Sequence, residues 1–422
     1  MSRINAPRGT ADTLPADSWK WQAIEAIARQ VAALYHFAEI RTPIYEASDL
    51  FHRGVGETTD IVSKETFTFS DRGGDSITLR PEGTAGVVRA AIENNLIAQE
   101  GARQKLFYIG PNFRYERPQK GRLRQHHQFG VEAFGIAEAD QDAECILLQV
   151  DFYRRCGLKD LSLAINSLGD KESKLRYRDA LVAFLRPKAA SLSEDSQRRL
   201  TENPLRILDS KDPRDQQACA GAPPAGESLS DASKAHFQRV QDLLAERSVA
   251  FTVNANLVRG FDYYTGTVWE VTTSGLGAQN AIGGGGRYDN LVESLGGRPT
   301  PGVGFGIGLE RLLLALEAQK VAIPDPRQGL VWIVALGPAA KTSAWNLLAE
   351  LRAAGIAADM DLANRSPKAQ FKIADREAAK FCLVLGDDEL ARNEVKLKDY
   401  STGQEQSVPR SEIISRLKSS EK

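Results

Sequence analysis

Leu106-Phe107-Tyr108-Ile109-Gly110-Pro111-Asn112-Phe113-Arg114-Tyr115-Glu116 leads into Arg117-Pro118-Gln119-Lys120-Gly121-Arg122-Leu123-Arg124, and the chain returns as Gln128-Phe129-Gly130-Val131-Glu132-Ala133-Phe134. Both flanks alternate apolar and polar side chains with the period of two of a half-buried strand. The first flank then places Arg114 and Glu116 on one face. The second places Gln128, Gly130 and Glu132 on one face and Phe129, Val131 and Ala133 on the other. The stretch predicts a hairpin with one apolar wall and one polar wall. Pro118 and Gly121 set the bends of a loop that carries four cations, Arg117, Lys120, Arg122 and Arg124. Guanidinium forks match phosphate oxygens, so Arg114 and the loop arginines above it suit a bent triphosphate and an RNA end. Residue type alone also allows a snorkelling surface arginine beneath a solvated loop.

Working outward, 422 residues exceed what one hydrophobic core usually serves, so two or more domains are expected. A chain that is 42% apolar and 26% charged reads as soluble and globular. Its formal charge of -1 announces no nucleic-acid partner globally, so any RNA contact must come from local basic surfaces. Cys145, Cys156, Cys219 and Cys382 lack paired metal spacing and read as free thiols. Residues 1–15 lack the apolar core of a signal peptide, and no apolar run approaches a membrane span. A cytoplasmic setting with no membrane association is expected.

Asp17 is expected to cap a helix whose stripe is Ile24, Ile27, Ala28, Val31, Leu34 and Tyr35, ending near His36. An extended run over 38–46 is broken by Pro43, which suits a sheet edge or an interface. Strands at 67–70 and 76–79 flank a glycine turn. Glu82-Gly83-Thr84 meets the start of a helix at 85–94, where a carboxylate and a hydroxyl are by local pattern a helix cap. A helix at 141–157 and a strand at 161–165 precede a polar helical stretch from 170 to 247, read as an insertion. The run Gly283-Gly284-Gly285-Gly286 is as much a flexible turn as a nucleotide cradle. Gly302, Gly304, Gly306 and Gly308 alternate with Val303, Phe305 and Ile307, leaving one strand face bare before the helix that carries Arg311. That face fits an adenine slot or a closely packed strand. After Pro324-Asp325-Pro326-Arg327, strand and helix patterns alternate as in a small α/β domain.

The order Phe113-Arg114-Tyr115-Glu116, basic loop, Arg122 and a strand ending near Glu132 resembles motif 2 of the class II aminoacyl-tRNA synthetases, in detail that of the histidyl-tRNA synthetases. The likeness continues through Arg80-Pro81-Glu82-Gly83-Thr84, the stretch from Leu257 to Gly266, Gly283 to Tyr288, and Gly302 to Arg311, and so covers nearly the whole chain. It implies an α+β fold: an antiparallel class II core over residues 1–325 with a helical insertion at about 170–250, and an anticodon-binding α/β domain over 328–422. Helix, strand and Pro43 are similar to motif 1, which implies a homodimer. The implied activity is ATP-dependent activation of L-histidine to histidyl-adenylate and transfer to the 3′ end of tRNA(His), with Mg2+ accompanying ATP and with AMP and pyrophosphate released.

The resemblance assigns histidine to Glu82, Gly83, Thr84, Arg114, Gln128, Glu132, Arg259, Tyr263 and Tyr264. It assigns ATP to Arg114, Glu116, Arg122, His126 and Arg311, and catalysis to Arg259 and Arg114. A neutral imidazole has one donor and one acceptor, which Glu132 and Tyr264 would meet. Arg259 matches the family arginine that stands where other class II enzymes place a metal ion. Arg365, Lys368 and Lys372 are candidate RNA contacts. His126 departs from the usual adenine-stacking Phe. Two rivals are a catalytically inactive paralogue, such as the regulatory subunit of ATP phosphoribosyltransferase, and a glycyl or prolyl synthetase of the same subclass.

Overall fold

The computed structural model describes residues 4–56, 59–208, 210, 212–258, 261–277, 280–325 and 329–419. Arg259, the expected catalytic cation, lies outside the described residues. The chain divides into two compact units, Met1–Ile323 and Pro324–Lys422.

The alternation of the opening stretch produces the pairing it predicts. Gln104–Phe113 and Gln125–Phe134 run antiparallel in register from Gln104↔Phe134 to Phe113↔Gln125. They lie within an eight-stranded sheet ordered Ala38–Glu39, Gln104–Phe113, Gln125–Phe134, Gly302–Gly308, Ala281–Arg287, Thr265–Thr273, Leu161–Ser167, Thr252–Val253. Only the two short edge strands pair in parallel. Phe129, Val131 and Ala133 point into the main core with Phe305 and Ile307. Helices Pro15–Leu34 and Ala139–Arg155 cover that face, and Phe129 meets Phe152 and Phe305 edge-on at 5.0 and 5.8 Å. One hairpin face is thus spent on burial, and the other is left to the site.

The glycine run at 283–286 is neither a turn nor a loop but the middle of the strand Ala281–Arg287, paired on both sides. A Cβ on Gly285 would stand 2.1 Å from the Gly304 carbonyl oxygen, so the close approach of the two glycine strands excludes side chains. Arg287 ends the run in a buried network, with Nε donating to Asp142 Oδ1 at 2.9 Å and Nη1 to Asp289 Oδ1 at 3.0 Å.

Three local expectations need correction. Asp17 does not cap the first helix, which starts at Pro15 after Leu14; proline suits a first helical position because the missing N–H has no partner there anyway. Asp17 instead pairs with Lys20 at 2.7 Å. The run at 38–46 splits around Pro43: Ala38–Glu39 joins the large sheet, whereas Tyr45–Ala47 joins Phe67–Ser70 and Ser76–Leu79 in a three-stranded sheet. The strand carrying Phe113 stops there, so Arg114 and Glu116 lie beyond it. Arg114 N–H still donates to Arg124 O at 2.8 Å, but Tyr115 N–H is drawn off to Glu65 O at 2.7 Å.

Between 170 and 250, Lys171–Leu185, Glu194–Glu202 and Pro213–Cys219 gather a small core on Leu181, Leu185, Leu192, Ile207 and Ala218. The last helix there, Asp231–Glu246, sends Phe237, Val240 and Leu244 into the main core. The second unit has a five-stranded sheet ordered Ala358–Met360, Val331–Ala335, Phe381–Leu385, Glu394–Asp399, Glu405–Pro409, the first three parallel. Lys368 and Lys372 are exposed on Pro367–Arg376, and Arg365 pairs with Asp361 at 2.6 Å. Among the described residues no helix is long and apolar enough to cross a membrane.

Candidate active site

Two adjoining cavities lie on the polar face of the hairpin, an inner one of about 270 Å³ and an outer one of about 450 Å³. Arg114, Arg122, Gln128 and Gly306 line both and so mark the seam.

Thr84, Tyr288 and Gly304 form part of the inner wall, and the Glu132 carboxylate lies directly behind them, 1% exposed. Thr84 Oγ1 donates to Glu132 Oε1 at 2.7 Å, and the Tyr288 hydroxyl donates to Oε2. Burial pushes the Glu132 carboxyl up to about 8, against the pull of the two hydroxyl donors. Gly304 opposes Glu132 in the sheet, and a Cβ there would stand 2.2 Å from Oε2, so glycine alone leaves the carboxylate a way into the cavity. Tyr108 lies across two more glycines: a Cβ on Gly83 or on Gly130 would come within 2.3 Å of its ring.

Glu82 combines both of its expected roles in geometry. Its carboxylate accepts from Thr84 N–H at 2.6 Å and Ala85 N–H at 2.9 Å, capping the helix Thr84–Glu93, while the side chain lines the cavity. Burial raises its pKa, and these backbone donors oppose the rise. Phe261, Tyr263 and Tyr264 add an aromatic wall, with Phe261 and Tyr263 stacked at 5.1 Å, Tyr263 and Tyr264 tilted at 4.7 Å, and Tyr263 meeting Tyr288 edge-on at 5.7 Å. Asn112 Nδ2 donates to Gln128 Oε1 at 2.6 Å and fixes that amide. At the seam, Arg114 Nε donates to Pro81 O at 2.8 Å and the guanidinium stands 5.6 Å from the Phe261 ring centre.

In the outer cavity Arg122 Nη1 approaches Glu116 Oε2 at 3.1 Å, and Arg114 Nη1 stands 3.9 Å from Glu116 Oε1. Arg311 Nε donates to Ala281 O at 2.6 Å; burial, then the neighbouring Arg122, lowers its pKa. His126 is half-buried, and burial with the charge of Arg114 pushes it down to about 3, so its ring is neutral at ordinary pH. The bare backbone of Gly306 and Gly308 completes this cavity.

The described members of the expected set therefore converge. Gly83 sits at the junction under Tyr108 rather than in the lining, and Glu132 lies one layer behind it. Sequence reasoning missed Tyr108, Asn112, Tyr288, Glu270 and Glu310. Tyr108 was open to detection, because it faces Gly130 in the hairpin register and so needs a missing side chain opposite. Glu310, which accepts from the His127 N–H at 2.9 Å and contacts Nδ1 at 3.0 Å, comes from 183 residues away and left no local signal.

Residues 9–312 match the family model described as histidyl-tRNA synthetase, and residues 330–420 match that of an anticodon binding domain. The chain is 49% identical over 417 residues to the histidine–tRNA ligase of Bacillus licheniformis, covering 98% of each. It is 51% identical over 409 residues to that of Moorella thermoacetica, covering 97% of this chain and 96% of the relative. The crystal structure of the apo histidyl-tRNA synthetase of S. aureus superposes with a TM-score of 0.84 at 39% identity, covering 99% of this chain and all of the other. A family model across most of the first unit and relatives near half identity over almost the full length leave one conclusion: this chain belongs to the histidyl-tRNA synthetase family.

Proposed function

We propose that this protein is an ATP-dependent histidine–tRNA ligase whose two cavities hold histidine and ATP and meet at Arg114. The observation that carries this reading is the seam itself: a pocket of carboxylates and tyrosines opens, along a seam lined by the guanidiniums of Arg114 and Arg122, onto a cavity lined by arginines and bare glycine backbone.

In the inner cavity Glu82 and Thr84 accept the α-ammonium of histidine. The imidazole N–H donates to Glu132 through the gap left by Gly304, and the Tyr264 hydroxyl donates to the other ring nitrogen, with Gln128 and Tyr263 closing the pocket. Leaving such partners unpaired rejects apolar analogues. The substrate carboxylate then lies toward Arg114. In the outer cavity His126 stacks on adenine against the bare strand, Arg114 takes the α-phosphate, and Arg122, set by Glu116, and Arg311 take the outer phosphates.

The histidine carboxylate oxygen attacks the α-phosphorus, the bond to the β-phosphate oxygen breaks, and pyrophosphate leaves. Positioning two anions and cancelling their charge is most of the catalysis, and Arg259 contributes a second guanidinium at that point. Magnesium bound to ATP would supply charge neutralisation at the outer phosphates, and Glu270, in the lining of the outer cavity, is the carboxylate that would hold it. In the second step the terminal ribose hydroxyl of tRNA(His) attacks the adenylate carbonyl, AMP leaves, and a phosphate oxygen accepts the proton. The second unit binds the anticodon, with Arg365, Lys368 and Lys372 as contacts.

The active form is a homodimer in a cytoplasmic setting; the dimer is supported by Leu34, expected in the buried stripe of the first helix but 64% exposed at its end, and by Ile44 and Tyr45, 44% and 53% accessible beside Pro43. A monomer at micromolar concentration in sedimentation would contradict it. The two-cavity reading is tested with a non-hydrolysable histidyl-sulfamoyl adenosine, which spans both and should bind far more tightly than histidine or ATP alone. Equal binding of the glycyl or prolyl analogue would refute it.

A further inference from the structure

The tyrosine wall of the inner cavity has no regular secondary structure, since residues 261–264 are turn and bend before the strand Thr265–Thr273 begins. Something other than ladder hydrogen bonds must fix its shape. One backbone bond, from Asp262 N–H to Val55 O at 3.4 Å, reaches it from the core, and side chains of the helices at 171–207 supply further polar ties. Lys174 Nζ donates to the backbone carbonyls of Asp262 at 3.1 Å and Tyr264 at 3.3 Å, on either side of Tyr263. Asn203 Nδ2 donates to Asp262 Oδ1 at 2.8 Å, and Arg206 Nε stands 3.7 Å from the same oxygen.

Lys174 is itself held at a defined point. It lies in the first turn of Lys171–Leu185, whose cap Asp170 accepts from Ser173 N–H at 2.8 Å and from the Ser230 hydroxyl at 2.5 Å. Gly266 N–H donates to Gly169 O at 2.9 Å and Leu168 N–H to Gly266 O at 2.7 Å, tying the entrance of these helices to the exit of the turn. Burial lowers the Lys174 pKa while Asp262 opposes the fall, as expected of an ammonium withdrawn from water to serve backbone oxygens.

We propose that Lys174 and Asn203 are positioning residues for histidine activation, a step in which no tRNA takes part: they hold the 261–264 turn in the shape that lines the histidine cavity. The proposal rests on the reading of that cavity as the histidine site. It gives the inserted helices a part in the first chemical step, separate from any contact with RNA.

The test is histidine-dependent ATP–pyrophosphate exchange without tRNA, with KM for histidine and for ATP measured separately, and with melting temperatures, for the wild type, Lys174→Met, Lys174→Arg, Asn203→Ala and Glu132→Gln. Lys174→Met should raise the histidine KM about tenfold or more, the usual scale for losing charge-assisted hydrogen bonds, and leave the ATP KM within about twofold. Lys174→Arg, which keeps charge and donors, should recover part of the loss. Asn203→Ala should move the same constant by a smaller factor, and it carries the test alone if Lys174→Met does not fold. Unchanged histidine KM in Lys174→Met and Asn203→Ala, equal increases in both KM values, or a defect seen only in tRNA charging would each overturn the proposal. Should Glu132→Gln also exchange normally with histidine, it is the assignment of the cavity that fails instead.

Discussion

Replacing Glu132 by glutamine should stabilise the empty protein and impair its chemistry. The folded-state pKa of Glu132 is raised from 4.5 to about 8 by burial. Between those values the native state keeps a proton that the unfolded chain has released, so stability falls as pH rises and the loss levels off above about pH 8. At about 1.4 kcal/mol per pH unit the whole window is worth about 5 kcal/mol, of which about 3 kcal/mol is gone by about pH 7. Glutamine never ionises, fills the same volume, and can still accept from one of Thr84 and Tyr288 while donating to the other hydroxyl. Glu132→Gln should therefore exceed the wild type in stability by about 3 kcal/mol near pH 7 and by under about 1 kcal/mol near pH 5, measured by urea unfolding without histidine. The amide is a poorer acceptor for an imidazole N–H, so histidine KM should rise about 10²-fold. A stability difference of the opposite sign, or one that does not change with pH, would mean that Glu132 is ionised in the empty pocket and would refute the reasoning.

His126→Ala should weaken ATP binding by about 1–3 kcal/mol, the worth of one base stacked on an aromatic ring, and His126→Phe should retain it. Because burial and Arg114 hold the His126 ring neutral with a pKa of about 3, His126 should add no titration to the ATP KM near pH 6–7, so the wild type and His126→Phe should give the same pH series. Gly304→Ala puts a Cβ 2.2 Å from both Glu132 Oε2 and Val131 O, so it should cost about 1–3 kcal/mol in thermal unfolding and abolish histidine binding; a well-folded variant with normal histidine KM would place the ligand elsewhere. Arg259→Ala and Arg259→Lys should each cut histidine-dependent exchange by about 10²–10³, because an ammonium cannot bridge carboxylate and α-phosphate as a planar fork does. Near-normal exchange in either would remove Arg259 from the chemistry.

What could be read from the sequence follows from how local its cause is. The hairpin was legible because a period of two decides which of Phe129 and Gln128 faces the core, whatever the rest of the chain does. The bare face of Gly302–Gly308 was legible for the same reason. The glycine run at 283–286 was not, since being a strand depends on the close approach of Gly304 and Gly306 across the sheet, information carried some twenty residues away. Arg114 fell outside its expected strand because Glu65, distant in sequence, takes the next backbone N–H. Asp17 lost the cap to a proline two residues earlier. In the site, the described residues that carry a motif are brought together by the fold, whereas Asn112 and Tyr288 support those residues from positions that carry no short-range signature. The grip of Lys174 on the tyrosine turn joins segments 88 residues apart and could only be seen in three dimensions.

The central claim is that the two cavities join histidine to ATP. ATP–pyrophosphate exchange by the purified protein, run without tRNA over the full set of amino acids, measures that joining directly. Exchange with histidine and background levels with the others, glycine and proline included, is the predicted result. Exchange driven by another amino acid, or none with histidine, would contradict the account.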